Sequence, residues 1–389
     1  MQANPMRASD LRVHNQKMVL SIIHASRRAG ISQSEIVQNT GLKAPTIFRI
    51  FSALEEEGLI EATETELEEG SVAKKGRRPV SYVVCKDAHY SIGLEFWTAY
   101  LSIGVFNFIG DRIYSGMHPL PEGIDADAVL ALIVSQVHDI IVELGLDTQK
   151  ILGLGVAAPG QVDLKNKRVA YYPRIVGMKD IPLVEVLEQQ LGIPVMIHNN
   201  CSALAFSEYR HGGYPHNKSM FTFLLRTGVN GAFVHDDVIY ANSKSMTIES
   251  GHIPINFDGP RCSCGTRGCL QAFLQDLDPN SVELRLALFE GLDAKLKEKD
   301  PYALRTIERA AGYLVIAMRI IKRLLAPQSF LFVCCSSLVA EALASEVKRQ
   351  IVEPDAFEND PPMIFATDYD PLVTQKGASD LVLKEYFKQ

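Results

Sequence analysis

The stretch "RCSCGTRGCLQ", residues 261–271, holds three of the chain's seven cysteines within eight residues and spaces them with two glycines. His252 lies upstream and completes the pattern H-x9-C-x-C-x4-C with Cys262, Cys264 and Cys269. One imidazole and three thiolates suit tetrahedral Zn2+, a borderline cation that accepts nitrogen and soft sulfur ligands. Four protein ligands close the coordination sphere, which favours a structural ion, one per chain, over a catalytic ion with an open water position. Gly265 and Gly268 would let the backbone fold tightly enough for the thiolates to converge. Reduced core cysteines and a disulfide are the competing readings. Cys334 and Cys335 lie in an apolar run, "FLFVCCSSLVA", and read as core, while Cys85 and Cys201 have no partner identifiable from spacing.

The remainder of the chain sets the context of this clip. Its 389 residues predict two or three domains, and 47% apolar with 22% charged residues fit a globular protein with ample core. No apolar run reaches transmembrane length, and the opening "MQANPMRASDLRVHNQK" has no apolar signal-like core. A reducing cytoplasm and no membrane association are therefore expected, a setting in which clustered cysteines more often bind metal than form disulfides. A net charge of −7 argues against general coating of nucleic acid but leaves room for a small basic module on an acidic body.

Such a module is legible at the N-terminus. Leu11, Val19, Leu20, Ile22 and Ile23 follow a helical pattern over residues 11–29 that ends at Gly30. In "SQSEIVQNTGLKAPTIFRIFSALEEEGLI", Ser32 and Glu35 have capping-box spacing and start a second helix. Gly41 supplies a turn, and a third helix from about Ala44 buries Ile47, Ile50, Phe51 and Leu54. Its opposite face carries Lys43, Thr46 and Arg49, which can reach phosphates or base edges in a major groove. "GLIEA" and "PVSYVV" read as wing strands around a long tip whose basic half holds Lys74, Lys75, Arg77 and Arg78. Together these features predict a winged helix-turn-helix over residues 1–86. A helical protein-interaction domain with a solvated charge run is the blander alternative.

Beyond residue 87 the texture is α/β. Hairpin-like strands at 90–114 return in similar form at 221–241, which suggests two lobes around a ligand cleft. Between them lie an amphipathic helix, "ADAVLALIVSQVHDIIVEL", a buried strand with a Pro-Gly turn, "ILGLGVAAPGQVD", and a strand running into a helix, "PVMIHNNCSALAFSEYRHG". The segments "GVAAPGQVD", "NNCSALAFSEY", "ESGHIPI" and "CSCGTRGCLQ" are similar to those of the ROK family, which unites bacterial sugar-responsive repressors with sugar kinases. That resemblance spans nearly the whole chain. It implies a two-lobed actin-like (ribonuclease-H-like) ATPase-fold domain, with lobe one over 87–198 completed by a C-terminal helix near 375–389, and lobe two over 199–374. It also implies zinc on the His-Cys-Cys-Cys set, and sugar contacts at Gly160, Asn199, Asn200, Glu249, His252 and Gln271.

The same resemblance implies a lost kinase. Asn200 stands where ROK kinases keep an aspartate base, and an amide has no useful basicity near neutral pH. "EFWTA", Glu95–Ala99, replaces their first glycine-rich phosphate loop and brings the only tryptophan, Trp97, to it. "RTG", Arg226–Gly228, replaces the second phosphate turn, and Val333–Cys335 the later glycine pair. The expectation is a repressor of carbohydrate-utilisation genes that binds an operator duplex as a homodimer or homotetramer and responds to a sugar or sugar phosphate. A kinase with a DNA-binding head, or a regulator governed by a protein partner, would use the same parts differently.

Overall fold

The computed structural model describes residues 8–26, 29–63, 80–215, 218–242, 247–277, 288–351 and 361–388. The N-terminal head runs α1 (Ala8–Ala25), β1 (Ile31–Ser32), α2 (Gln33–Thr40), α3 (Ala44–Glu56), β2 (Ile60–Thr63) and β3 (Ser81–Val84). Its local chemistry is as the spacing predicts. Ser32 Oγ accepts from the Glu35 N–H at 3.3 Å, while a Glu35 carboxylate oxygen accepts from the Ser32 N–H at 2.8 Å. Two donors that helix α2 would otherwise leave unpaired are satisfied reciprocally. Gly41 closes α2 at φ 68°, and α3 buries Ile47, Ile50, Phe51 and Leu54. The strands form an antiparallel sheet in the order β1-β3-β2.

Helix α1 differs from expectation at both ends. It starts at Ala8 and stops at Ala25, where Ser26 Oγ donates to the Ile23 carbonyl at 2.7 Å. Leu11, placed in the apolar pattern, is half exposed, since Val19, Leu20 and Ile23 already fill the core contact. Lys74, Lys75, Arg77 and Arg78 lie outside the described residues.

The body is built from one motif used twice. The first sheet comprises β4 (Tyr90–Phe96), β5 (Tyr100–Asn107), β6 (Arg112–Pro119), β7 (Ile151–Ala158) and β11 (Val195–Asn199). Helix α4 (Ala126–Glu143) precedes β7. A small antiparallel sheet of β8 (Gln161–Asp163), β9 (Arg168–Tyr171) and β10 (Lys179–Ile181) and helix α5 (Leu183–Leu191) follow it. The order is β11-β7-β4-β5-β6, with β4, β5 and β6 antiparallel and β7 and β11 parallel to β4.

After α6 (Asn200–His211), the second sheet repeats the order as β16-β15-β12-β13-β14. Its strands are β12 (Ser219–Leu225), β13 (Val229–His235), β14 (Val238–Ile239), β15 (Ser329–Cys334) and β16 (Met363–Asp368), again with three antiparallel and two parallel members. Between them come α7 (Leu270–Leu277), α8 (Leu292–Lys297), α9 (Pro301–Leu325) and α10 (Ser337–Ile351). Aromatic stacking binds the central pair here: the rings of Phe223 and Phe332 are 5.6 Å apart and nearly parallel. Such a pair adds about 0.5–1.5 kcal/mol to its area burial.

The chain closes with α11 (Pro371–Lys388), which returns to lie on β4, β5 and β7 and along α6. Its far end meets the head: Lys17 Nζ donates to the Tyr386 carbonyl at 2.9 Å and sits 3.2 Å from the centre of the Tyr386 ring. The face of α1 is further held by His24, whose ring nitrogen lies 2.8 Å from the Phe108 carbonyl oxygen. No helix among the described residues is long and apolar enough to cross a membrane.

Candidate metal centre and ligand cleft

The cysteine segment forms a tight knuckle. The Cys262 N–H donates to the Thr266 carbonyl at 2.9 Å, and the Gly265 N–H donates back to the Cys262 carbonyl at 3.0 Å. Gly265 and Gly268 take φ of +90° and +75°. At Gly268 a Cβ would lie 1.5 Å from the Asn256 carbonyl oxygen, so only glycine allows the two backbones to meet there. His252 reaches the knuckle from a 3-10 turn, Ser250–His252.

The four ligand atoms of His252, Cys262, Cys264 and Cys269 all lie within 4.8 Å of one another. His252 Nδ1 is 3.4 Å from Cys262 Sγ, and the sulfurs of Cys264 and Cys269 are 3.7 Å apart. Tetrahedral zinc with Zn–S bonds of about 2.3 Å places its sulfurs about 3.8 Å apart. The spacing therefore fits an ion, and a disulfide is absent: all seven cysteines are free thiols. Thr266 hydrogen bonds hold the Cys264 thiol down to about 6, whereas burial pushes the Cys269 thiol up to about 11. Cys334 is fully buried and Cys335 half-buried, as a core strand requires.

A continuous set of contacts runs from this knuckle into the cleft between the sheets. Glu249 precedes the 3-10 turn, and its carboxylate accepts a 2.6 Å bond from Gln161 Nε2 across the cleft. Gln161 follows Gly160, whose carbonyl accepts from Asn199 Nδ2 at 2.8 Å. Asn199 Oδ1 meanwhile caps α6 by accepting from the Cys201 N–H at 2.9 Å. Both ends of the Asn199 amide are thus occupied by backbone, which makes it a positioning group. Asn200 is different: it is 1% exposed, and its Nδ2 has no hydrogen-bond partner among the described residues. Gln271, at the start of α7, accepts from the Val229 N–H at 3.1 Å and lies against Gly228 and Gly251. His252 turns its Nδ1 to the Cys262 thiol.

Beside this set, side chains from both sheets close on a buried carboxylate. Glu95, at the end of β4, is completely buried, and Trp97 Nε1 donates to its carboxylate at 2.7 Å. The Tyr369 hydroxyl donates to the other carboxylate oxygen, and the Tyr100 hydroxyl lies 3.1 Å from that of Tyr369. Arg226 crosses from the β12–β13 turn, donates to the Tyr100 hydroxyl at 3.2 Å, and stacks over Tyr369 and Trp97 at 3.9 and 4.5 Å. Sequence reading singled out Trp97 and the "RTG" turn. Tyr100 and Tyr369 carried no signal, because the contact of Tyr369 with Trp97 joins residues 272 positions apart.

Burial raises the Glu95 carboxyl to about 7, against the lowering pull of Tyr369, Arg226 and Trp97. A carboxyl whose folded value lies above its unfolded one adds stability that is full below about pH 4.5 and is lost as pH rises through about 7. Glu95→Gln is therefore expected to gain on the wild type as pH rises from 5 to 8, by at most about 3 kcal/mol. Melting temperatures of both proteins across that range test this; parallel curves would show that Glu95 does not titrate there.

The fold and the head have known counterparts. A model described as the ROK family matches residues 125–384, and one described as winged helix-turn-helix DNA-binding matches residues 14–61. A xylose repressor of Bacillus spizizenii is 25% identical over 353 residues, covering 87% of this chain and 87% of its own. A crystal structure of a ROK family transcriptional regulator, a homologue of the Escherichia coli MLC protein, superposes with a TM-score of 0.76. It is 19% identical and covers 97% of this chain and 100% of its own. A ROK family glucokinase from Streptomyces griseus, solved with glucose and AMPPNP, superposes with a TM-score of 0.61. It is 20% identical and covers 76% of this chain and 99% of its own. The body's doubled sheet, the knuckle at its cleft and a family model spanning most of the residues lead to one conclusion: this chain belongs to the ROK family.

Proposed function

We propose that this protein is a sugar-responsive transcriptional repressor of carbohydrate-utilisation genes that works in the cytoplasm and transfers no phosphoryl group. The observation that carries the reading is a winged helix-turn-helix head joined to a body in which Glu95, Trp97, Tyr100, Arg226 and Tyr369 form a buried, hydrogen-bonded set, at the place where the kinases of the family would hold phosphates. A nucleotide would have to displace that buried, hydrogen-bonded set. Asn200 supplies no base. The xylose repressor relative supports the same function.

The head is taken as residues 1–86, lobe one as 87–198 with the C-terminal helix, and lobe two as 199–374. Lys43 at the N-cap of α3, and Thr46 and Arg49 on it, would meet the major groove, with Lys74, Lys75, Arg77 and Arg78 on phosphates. A homodimer or homotetramer would read paired half-sites, since operator symmetry follows protein symmetry.

The cleft between the sheets would take a sugar or sugar phosphate. The buried Asn200 Nδ2 has no partner among the described residues, and an unsatisfied buried donor costs roughly 1–3 kcal/mol, so a ligand hydroxyl there is favoured. Glu249, His252 and Gln271 would complete the donor and acceptor set, with Asn199 and Gly160 shaping the turn. One zinc on His252, Cys262, Cys264 and Cys269 would fix the geometry of the segment carrying them. Ligand binding changes DNA affinity only by favouring one arrangement of head and lobes over another.

Selection of binding sites from a random duplex pool by the intact protein should enrich a symmetric sequence. Arg49→Ala should weaken binding to it by about tenfold or more. A panel of sugars and sugar phosphates should contain one that lowers operator affinity. Absence of any enriched sequence would refute the DNA-binding reading, and ATP turnover on any sugar of the panel would refute the loss of catalysis.

A further inference from the structure

Helix α3 exposes one large apolar side chain on the face that the head offers to solvent. Phe48 is 60% exposed, more than any other large apolar residue described in the head. Among the described residues its ring makes no aromatic contact, whereas Phe51, one turn on, packs edge-on against Tyr82 at 4.9 Å. Phe48 stands outside the apolar cluster that forms the core of the head. A helical spacing of three or four puts Ala44, Pro45 and Ser52 beside it on the same face, and all three are exposed and short. Phe48 therefore projects beyond its neighbours, flanked by the exposed cations Lys43 and Arg49.

A phenyl ring neither donates nor accepts a conventional hydrogen bond, so it cannot read the polar edges of base pairs. In the major groove the one apolar mark is the thymine C5-methyl group, absent from the other three standard bases. Lys43 and Arg49 offer donors to phosphates or to guanine edges, and neither distinguishes a methyl group. We propose that Phe48 is a specificity-determining residue of this head, packing its ring on a thymine methyl in each operator half-site. This rests on the DNA-binding function proposed above.

The proposal separates from that reading in one experiment. An operator is first selected by the intact protein, and each thymine is then replaced singly by deoxyuridine, which removes the methyl and keeps the pairing edge. At one thymine per half-site the wild type should lose about fourfold in affinity, the effect of withdrawing one methyl group from an apolar contact. Phe48→Ala should lose nothing further at that same position, because the contact is already gone, while Phe48→Leu should keep part of the preference. Phe48→Ala should also melt as the wild type does, so that weak binding reads as lost contact and not lost fold.

An operator at which deoxyuridine costs wild type and Phe48→Ala equally at every thymine would overturn the role of Phe48 and leave the DNA-binding reading standing. Failure to enrich any operator would overturn both. A Phe48→Ala protein that binds the unmodified operator as tightly as wild type would assign the ring to something other than DNA.

Discussion

Cys264→Ser is expected to drop the metal content of the purified protein from about one zinc per chain to far below stoichiometric. Its thiol is exposed, so without a metal the change would be nearly neutral, within about 0.5 kcal/mol. With a metal it removes one of four ligands whose spacing matches tetrahedral coordination. Structural zinc sites in small domains contribute on the order of 10 kcal/mol, because the site does not exist in the unfolded chain. Here the surrounding lobe has its own core, so the loss should fall mainly on the knuckle and the turn bearing Glu249 and His252. Elemental analysis gives the metal count, and ligand titration should show at least about tenfold weaker sugar binding. A metal-free wild type of unchanged stability under chelation would mean that the four residues are only a thiol cluster.

Gly377→Ala should be the most damaging of the conservative helix substitutions. Gly377 lies where α11 crosses α6, and an added Cβ would stand 1.9 Å from the Ala203 carbonyl oxygen. Backbone cannot rotate aside as a side chain can, so α11 must lift from the helix that begins at Asn200. A cost of about 2–4 kcal/mol is expected, read as a fall of several degrees in melting temperature. Gly312→Ala in α9 is the matched control. It too replaces a helical glycine, but its nearest neighbour is the amide end of Gln350 at 3.2 Å. There the helix preference for alanine, about 1 kcal/mol, should dominate, and the protein should be no less stable. If both substitutions cost the same, close approach of the two helices is not what Gly377 serves. Because α11 also touches the head through Tyr386, the Gly377 variant should in addition respond less to ligand in operator binding.

Much of the molecule was legible before any coordinates. Ser32, Glu35 and Gly41 act within one turn of their own helix, so residue type and spacing were sufficient to place α2 and α3. The knuckle was equally readable, since its three thiols and two glycines lie within eight residues and the metal chemistry constrains which side chains can serve. Hairpin-like stretches recurring in each half suggested two similar lobes, and the strand order that the two sheets share is a finding of the structure.

Only the tertiary structure decided how the cleft is used. Asn199 and Asn200 are adjacent and chemically identical, yet one spends both ends of its amide on backbone and the other buries an unpaired donor. Gln161 reaches Glu249 across the cleft, a partner no spacing rule would propose. Arg226 and Tyr369 close on Trp97 and Glu95 because two sheets and their turns bring them together. Caps, turns and clustered ligands are set by neighbours along the chain and leave a periodic or local mark. Contacts between lobes are set by the packing of whole sheets, which residue order alone does not record.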